Sequence, residues 1–400
     1  MTFWKFFSAR VFDYSGSFAV VALALLLTSC GGGSGSTGNS GGSGGGTGGV
    51  GNTTVTSGEY LWEVGGATNT LAYATINTTT GALSSPTVAG GPASNPTNLP
   101  SIVIPPSGIF LCAFYGSLSQ VVTFEMTGPG LQLGSGGEAL SIPYELSMTM
   151  HPSGKFFYVF TSGVQSSIQE VSVNAGGGTV LGPAVEESAS LSLGVFDPTG
   201  KYLFVNDGTD GAIFVFQVNQ SDGSLTAVAN SPFALPSGEQ PTYLAIGGSG
   251  TSLFLYADLY AQTALGGGIT AFSIDSSTGA LTLVPGSPFQ TGSYAPYYIS
   301  VDPSRNFLYA SGYLGTLWGF DINPTSGALS QVSGSPFSTA SGSDTIAIDP
   351  SDQFLYVANS ENSTIYGFKL NSTTGGLSAL SGSPFAAVAQ PEGLTMMDIQ

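Results

Sequence analysis

The chain has 400 residues with a formal net charge of −18, and only 8% of its residues are charged. Six basic residues face 24 acids, so nothing could neutralise a phosphate backbone, and nucleic acid is excluded as a partner. Glycine (59), phenylalanine (25) and tyrosine (17) are abundant, a profile of short strands, many turns and a large aromatic core, not of helices with charged outer faces.

In chain order, Lys5 and Arg10 precede the apolar run Phe18–Leu27, which ends in Leu27-Thr28-Ser29-Cys30. Ten apolar residues are too few to cross a bilayer core of about 30 Å as a helix, so residues 1–29 read as a signal peptide. The segment ending at Cys30 resembles the bacterial lipobox, and the resemblance implies cleavage before Cys30 and a lipid on its thiol. Asp13 departs from a typical basic leader. Residues 30–57 then form a Gly/Ser/Thr-rich stretch that cannot bury apolar area. As a flexible spacer of ~26 residues it reaches roughly 30 Å. The expected location is the cell envelope, with the membrane held through the lipid alone. With Cys30 lipidated, Cys112 has no disulfide partner. It lies in Phe110-Leu-Cys-Ala-Phe114 and reads as a small buried apolar residue.

From residue 58 to 400 the sequence repeats. A turn followed by an apolar strand recurs at Asp197-Pro-Thr-Gly-Lys-Tyr-Leu-Phe204, Asp302-Pro-Ser-Arg-Asn-Phe-Leu-Tyr309 and Asp349-Pro-Ser-Asp-Gln-Phe-Leu-Tyr356. Weaker copies begin at Thr56, Pro105, His151 and Gly247, which makes seven turns spaced 46 to 55 residues apart. That is the period of a four-stranded propeller blade. Within each blade the strands are lettered a to d from the axis outward. Strand a precedes the Asp-Pro turn, b follows it, and c runs into Thr-Gly-Ala-Leu-type turns such as 278–281. Strand d leaves through Ser-Pro-Phe, at 231–233, 287–289, 335–337 and 383–385. The first copy lacks a strand a, and Pro391-Glu-Gly-Leu-Thr-Met-Met397 has that pattern. The expected fold is therefore all-β, a seven-bladed propeller of antiparallel blades closed by the C-terminal strand.

At Leu355-Tyr-Val-Ala-Asn359 the repeats resemble the YVTN and lactonase-type propellers, which include 6-phosphogluconolactonase-like proteins. The resemblance implies the seven-bladed fold. For activity it implies a lactonase, a carboxylic ester hydrolase with His and Arg at the start of strand a. The matching segment here reads Glu145-Leu146-Ser147, so no catalytic residue carries over.

Strand polarity sorts the remaining ionisable groups. The a–b and c–d turns share one face, which takes Lys155, Lys201, Arg305, Lys369 and His151. His151 reads as a turn residue in place of Asp, with a general base as the other reading. The opposite face, where the channel mouth lies, takes carboxylates and amides. Glu145, Asn206, Asp207, Glu239, Asp258, Glu361 and Glu392 are the candidate ligand or cation residues, and Ca²⁺ is the hard cation they would suit. The same residues serve equally as solvated loop carboxylates. Tyr115, Tyr144, Tyr294, Tyr297 and Tyr313 are candidates for stacking on a sugar ring. Three functions stay open: a binding module for a carbohydrate or protein ligand, a metal-dependent lactone hydrolase, and a purely structural envelope protein.

Overall fold

The computed structural model describes the chain from Gly58 to Ile399, apart from residues 67–69, 90–100, 107, 109, 116–118, 127–130, 134–139, 143–144, 162–165, 175–177, 188, 237–239, 261–266, 293–294 and 313. Residues 1–57, which hold the expected signal peptide, Cys30 and the expected spacer, lie outside the described residues. Seven antiparallel sheets follow one another along the chain. Blade 7 shows the pattern: Ser343–Ile348 is strand a, followed by Phe354–Asn359, Thr364–Leu370 and Leu377–Ala379, with Phe385–Ala386 returning to strand c.

Blade 1 is assembled from both ends of the folded chain. Its strand b, Gly58–Gly65, pairs on one side with Thr70–Thr75 and on the other with Pro391–Ile399. The closing ladder runs from Gly58↔Ile399 to Val64↔Gly393. The expected closure by the tail strand is thus what the structure shows, and it removes the two long edges an open ring would present.

Each strand b is sandwiched, and its alternate side chains serve two neighbouring blades. In blade 7, Leu355 and Val357 pack with Phe307 and Tyr309 of blade 6. Phe354, Tyr356 and Ala358 pack with Leu61 and Leu394 of blade 1. Tyrosines on strand b carry a polar handle into these seams. The hydroxyls of Tyr158, Tyr256, Tyr309 and Tyr356, all fully buried, donate to the carbonyls of Gly223, Gly327, Gly375 and Gly81 at 2.6, 3.0, 2.7 and 2.7 Å. Every acceptor is the glycine of the next blade's c–d turn. A buried phenol needs such a partner, and the glycine carbonyl is free to offer it.

The turn chemistry matches its sequence signature. Asp302 Oδ1 accepts the Phe307 amide at 2.7 Å and Asp349 Oδ1 the Gln353 amide at 2.8 Å, closing their a–b turns. In the Ser-Pro-Phe segments the serine hydroxyl accepts a strand-c amide: Val215 to Ser231, Ala271 to Ser287, Gly319 to Ser335 and Gly367 to Ser383, at 2.8 to 3.0 Å. The hydroxyl replaces a ladder carbonyl where proline interrupts strand d.

One seam is chemically different. Glu63 pairs across the closing ladder with Leu394 and is 0% exposed. The register-equivalent residues of the other blades are Ala113, Val159, Val205, Ala257, Ala310 and Val357. Its Oε2 accepts the Val388 amide at 2.9 Å, while Oε1 has no hydrogen-bond partner. Burial pushes its carboxyl up to about 7. The unfolded chain releases this proton near pH 4.5 and the folded chain only near 7, so stability falls as pH rises between those values. Glu63→Val is expected to abolish that slope and raise stability at pH 8 by about 3 kcal/mol, read by urea denaturation of both proteins at pH 5 and 8.

Candidate functional site

The mouth of the channel is where the seven strands a begin. In blades 4, 5 and 7 the register slips there in the same way. Two residues of strand a stand opposite one of strand b: 192–193 opposite Asn206, 242–243 opposite Asp258, and 344–345 opposite Ala358. Such bulges expose amides that the ladder no longer satisfies and re-aim the side chains beside them.

Asp258 and Asn206 satisfy those amides. Asp258 is 0% exposed; its Oδ1 accepts the Thr242 and Tyr243 amides at 3.0 and 2.5 Å, and its Oδ2 accepts the Thr242 hydroxyl at 2.7 Å. Burial lifts its carboxyl to about 6 against the opposing pull of these donors. Asn206 Oδ1 accepts the Leu193 amide at 2.8 Å and the Ser192 hydroxyl at 3.1 Å. Its Nδ2 reaches over to blade 5, donating to Pro241 and Thr242 carbonyls at 2.9 and 3.2 Å. Thr242 therefore joins both clamps.

The other candidates are scattered. Asp207 is buried and holds its own b–c turn, accepting amides from Ser190, Thr209 and Asp210. Glu361 is exposed on blade 7 and accepts the Ser341 hydroxyl at 2.9 Å. Glu392 occupies the bulge of the closing strand and fills the space beside Gly66, where a Cβ would fall 2.0 Å from its Oε1. Glu145 opens strand a of blade 3, described for its backbone alone, and Glu239 lies outside the described residues. Among the described residues no three His, Cys, Asp or Glu side chains come together as metal ligands.

What the mouth does assemble is aromatic. Tyr243 of blade 5 and Tyr298 of blade 6 meet with ring centroids 4.5 Å apart at 53°. Burial raises both hydroxyls above their usual range, and for Tyr243 the neighbouring Tyr298, Tyr297, Asp258 and Asp344 add to the effect. Both phenols are neutral donors at any physiological pH. Asp344, 3% exposed, is the second residue of strand a of blade 7, and its carbonyl takes the Ser311 hydroxyl of blade 6 at 2.5 Å. Of the tyrosines singled out from sequence, Tyr297 belongs to this group. Tyr144, Tyr294 and Tyr313 and the side chain of Tyr115 lie outside the described residues. Tyr243 and Tyr298 were not distinguishable as site residues by type alone. Their shared signal is position, both directly preceding the first aliphatic residue of strand a (Leu244, Ile299).

The cations keep to the far face. Lys201 donates to the Ser276 and Ser277 carbonyls at 3.2 and 3.1 Å and lies 4.7 Å over the Tyr202 ring. His151 is 1% exposed. Its Nδ1 accepts the Ser153 amide at 3.1 Å, which assigns the proton to Nε2, donated to the Gly200 carbonyl at 2.9 Å. Burial lowers its pKa. The ring is neutral, walled by Phe156 and Phe196, and closes its turn as the aspartates close theirs. Cys112 is buried against Thr123, with its thiol pushed up to about 12 by burial, so it is unreactive.

Residues 233–317 match the family described as lactonase, seven-bladed β-propeller. The fold is similar to that of a putative 6-phosphogluconolactonase from Bacteroides fragilis, with a TM-score of 0.69 and 20% identity over 86% of this chain and 99% of that one. It is also similar to the periplasmic gluconolactonase of Pseudomonas aeruginosa, with a TM-score of 0.66 and 19% identity over 86% and 100%. A protein from Lactobacillus plantarum gives 0.69 and 17% over 86% and 100%. No curated protein sequence matches the chain. At these identities the likeness is one of fold.

Asp258→Ala would strand two amides and a hydroxyl at the blade 5 bulge. It is expected to cost about 2–4 kcal/mol in chemical denaturation, whereas Glu361→Ala, at an exposed position, should change stability by less than about 0.5 kcal/mol.

Proposed function

We propose, taking this chain as a lactonase-like seven-bladed β-propeller, that it is a binding module of the cell envelope whose channel mouth takes a neutral, polyhydroxylated ligand such as a sugar. The observation that carries this reading is the composition of the mouth: the Tyr243–Tyr298 pair beside Asp344, with every Lys, Arg and His of residues 58–400 at the opposite turns or the far end of strand c. Aromatic faces stack on the C–H side of a pyranose, and neutral phenols and a carboxylate exchange hydrogen bonds with its hydroxyls. An anionic ligand such as a phosphorylated lactone would meet a carboxylate and no counter-charge. The relatives' names point to lactone hydrolysis. In this chain the buried carboxylates of Asp258 and Asp207 are occupied by backbone donors, which argues against their service as metal ligands or general bases.

Titration with neutral sugars and with glucono-lactone tests the reading. Saturable binding that weakens about tenfold in Tyr298→Ala, measured by calorimetry, is the expected result. Lactone turnover that rises with Ca²⁺ and vanishes with EDTA would replace binding by hydrolysis.

The tether is the second part of the proposal. Leu27-Thr-Ser-Cys30 supports a lipid on Cys30. The described residues begin at Gly58, at the a–b turn end of blade 1. Metabolic labelling with an alkynyl fatty acid should mark the wild-type chain and not Cys30→Ser. Equal labelling of both would refute lipidation at this residue.

A further inference from the structure

Among the described residues, the outer strands of six blades are short. Those of blades 4 to 7 are split by Ser-Pro-Phe into pieces of two to four residues, such as Leu225–Ala227 and Phe233–Ala234. Blade 2 has Leu131–Leu133 and Leu140–Ser141, and blade 1 only Thr87–Val88. Blade 3 breaks the rule. Its outer strand, Thr179–Glu187, runs for nine residues without a Ser-Pro break, and Val180 and Leu181 stand 63% and 44% exposed. A long apolar edge is a template for another strand.

A second feature of the same edge is charged. The register breaks between Gln169 and Val171, so Gly182 and Pro183 bulge opposite Glu170. Glu170 is 1% exposed. Its Oε1 accepts the Ser172 hydroxyl at 2.8 Å, but Oε2 has no partner and points at Gly182, where a Cβ would fall 1.4 Å away. Glu186 and Glu187 close the strand. Lys155, at the a–b turn, is the one Lys or Arg in the sequence of blade 3.

We propose that Thr179–Glu187 is a docking edge for an extended segment of another protein that carries lysine or arginine among aliphatic residues. The segment adds to blade 3 as a further strand, covers Val180 and Leu181, and parts the glycine bulge so that a cation reaches the buried, unpartnered oxygen of Glu170. Main-chain pairing supplies affinity, and the aliphatic-plus-cationic pattern supplies selectivity. A second copy of this chain fits less well, since it would bring three more carboxylates to the edge and no cation.

The probe is a capped decapeptide of alternating lysine and valine, titrated into the full chain by fluorescence anisotropy. Its partner probe has the same sequence and charge with alternate amides N-methylated, which blocks strand pairing. The unmodified peptide should bind at least about tenfold tighter than the methylated one, and Glu170→Gln should weaken it by about tenfold. Should Glu170→Gln fail to fold, Val180→Asp at its exposed position should show a comparable loss. Equal binding of the two peptides would mean charge alone, and would overturn the proposal, as would undiminished binding by the variants. A dimer in sedimentation equilibrium that Val180→Asp disperses would assign the edge to a second copy and overturn it too.

Discussion

The structure depends on how each strand b is held between two neighbours. A blade alone is a small twisted sheet with both faces apolar, and it is stable only when covered on both sides. Phe354, Tyr356 and Ala358 facing one way, with Leu355 and Val357 facing the other, meet that demand in blade 7. The tyrosine hydroxyls set the blades' angular position by binding one particular carbonyl in the next c–d turn. Apolar packing supplies the bulk of the cohesion, and these hydrogen bonds decide which of many similar packings is adopted.

The same constraint explains the carboxylates at the mouth. Strands a bulge in blades 4, 5 and 7, and each bulge leaves amides that the ladder does not pair. Asn206 and Asp258 answer them from the strand behind. Ala358 cannot, and its neighbour Asn359 ties down loops instead: its Nδ2 donates to the Ala340 and Ser341 carbonyls and its Oδ1 accepts the Asn362 amide. Acidic character at this end of the ring is thus partly structural. Of the aromatic pair, Tyr243 stands on such a bulge, and Tyr298 meets it from the unbroken ladder of blade 6.

Architecture was legible because it is written in turns and periods. Asp-Pro and Thr-Gly-Ala-Leu turns dictate chain reversals locally, and seven copies 46 to 55 residues apart dictate a ring. Even His151 could be read as a turn residue, since its position in the repeat outweighs its side chain. The site was less legible. A bulge adds one residue to one strand without altering the hydrophobic alternation on either side, so the sequence around Thr242-Tyr243 carries no mark of it. Asp258 consequently looks like a solvated carboxylate and proves to be wholly buried. Glu63 sits in an unremarkable strand, and only the ladder with Leu394 reveals that it occupies an aliphatic position.

The pairing of Gly58–Gly65 with Pro391–Ile399 also sets the order in which the molecule can form. Loop closure over more than three hundred residues is slow, and strand pairings between distant segments come after the local hairpins. Blades 2 to 7 can each build their sheet from contiguous chain as it becomes available, whereas blade 1 must wait with an unpaired strand until the last segment arrives. The transition state for unfolding is then expected at this joint, where detachment of a single strand opens the circle.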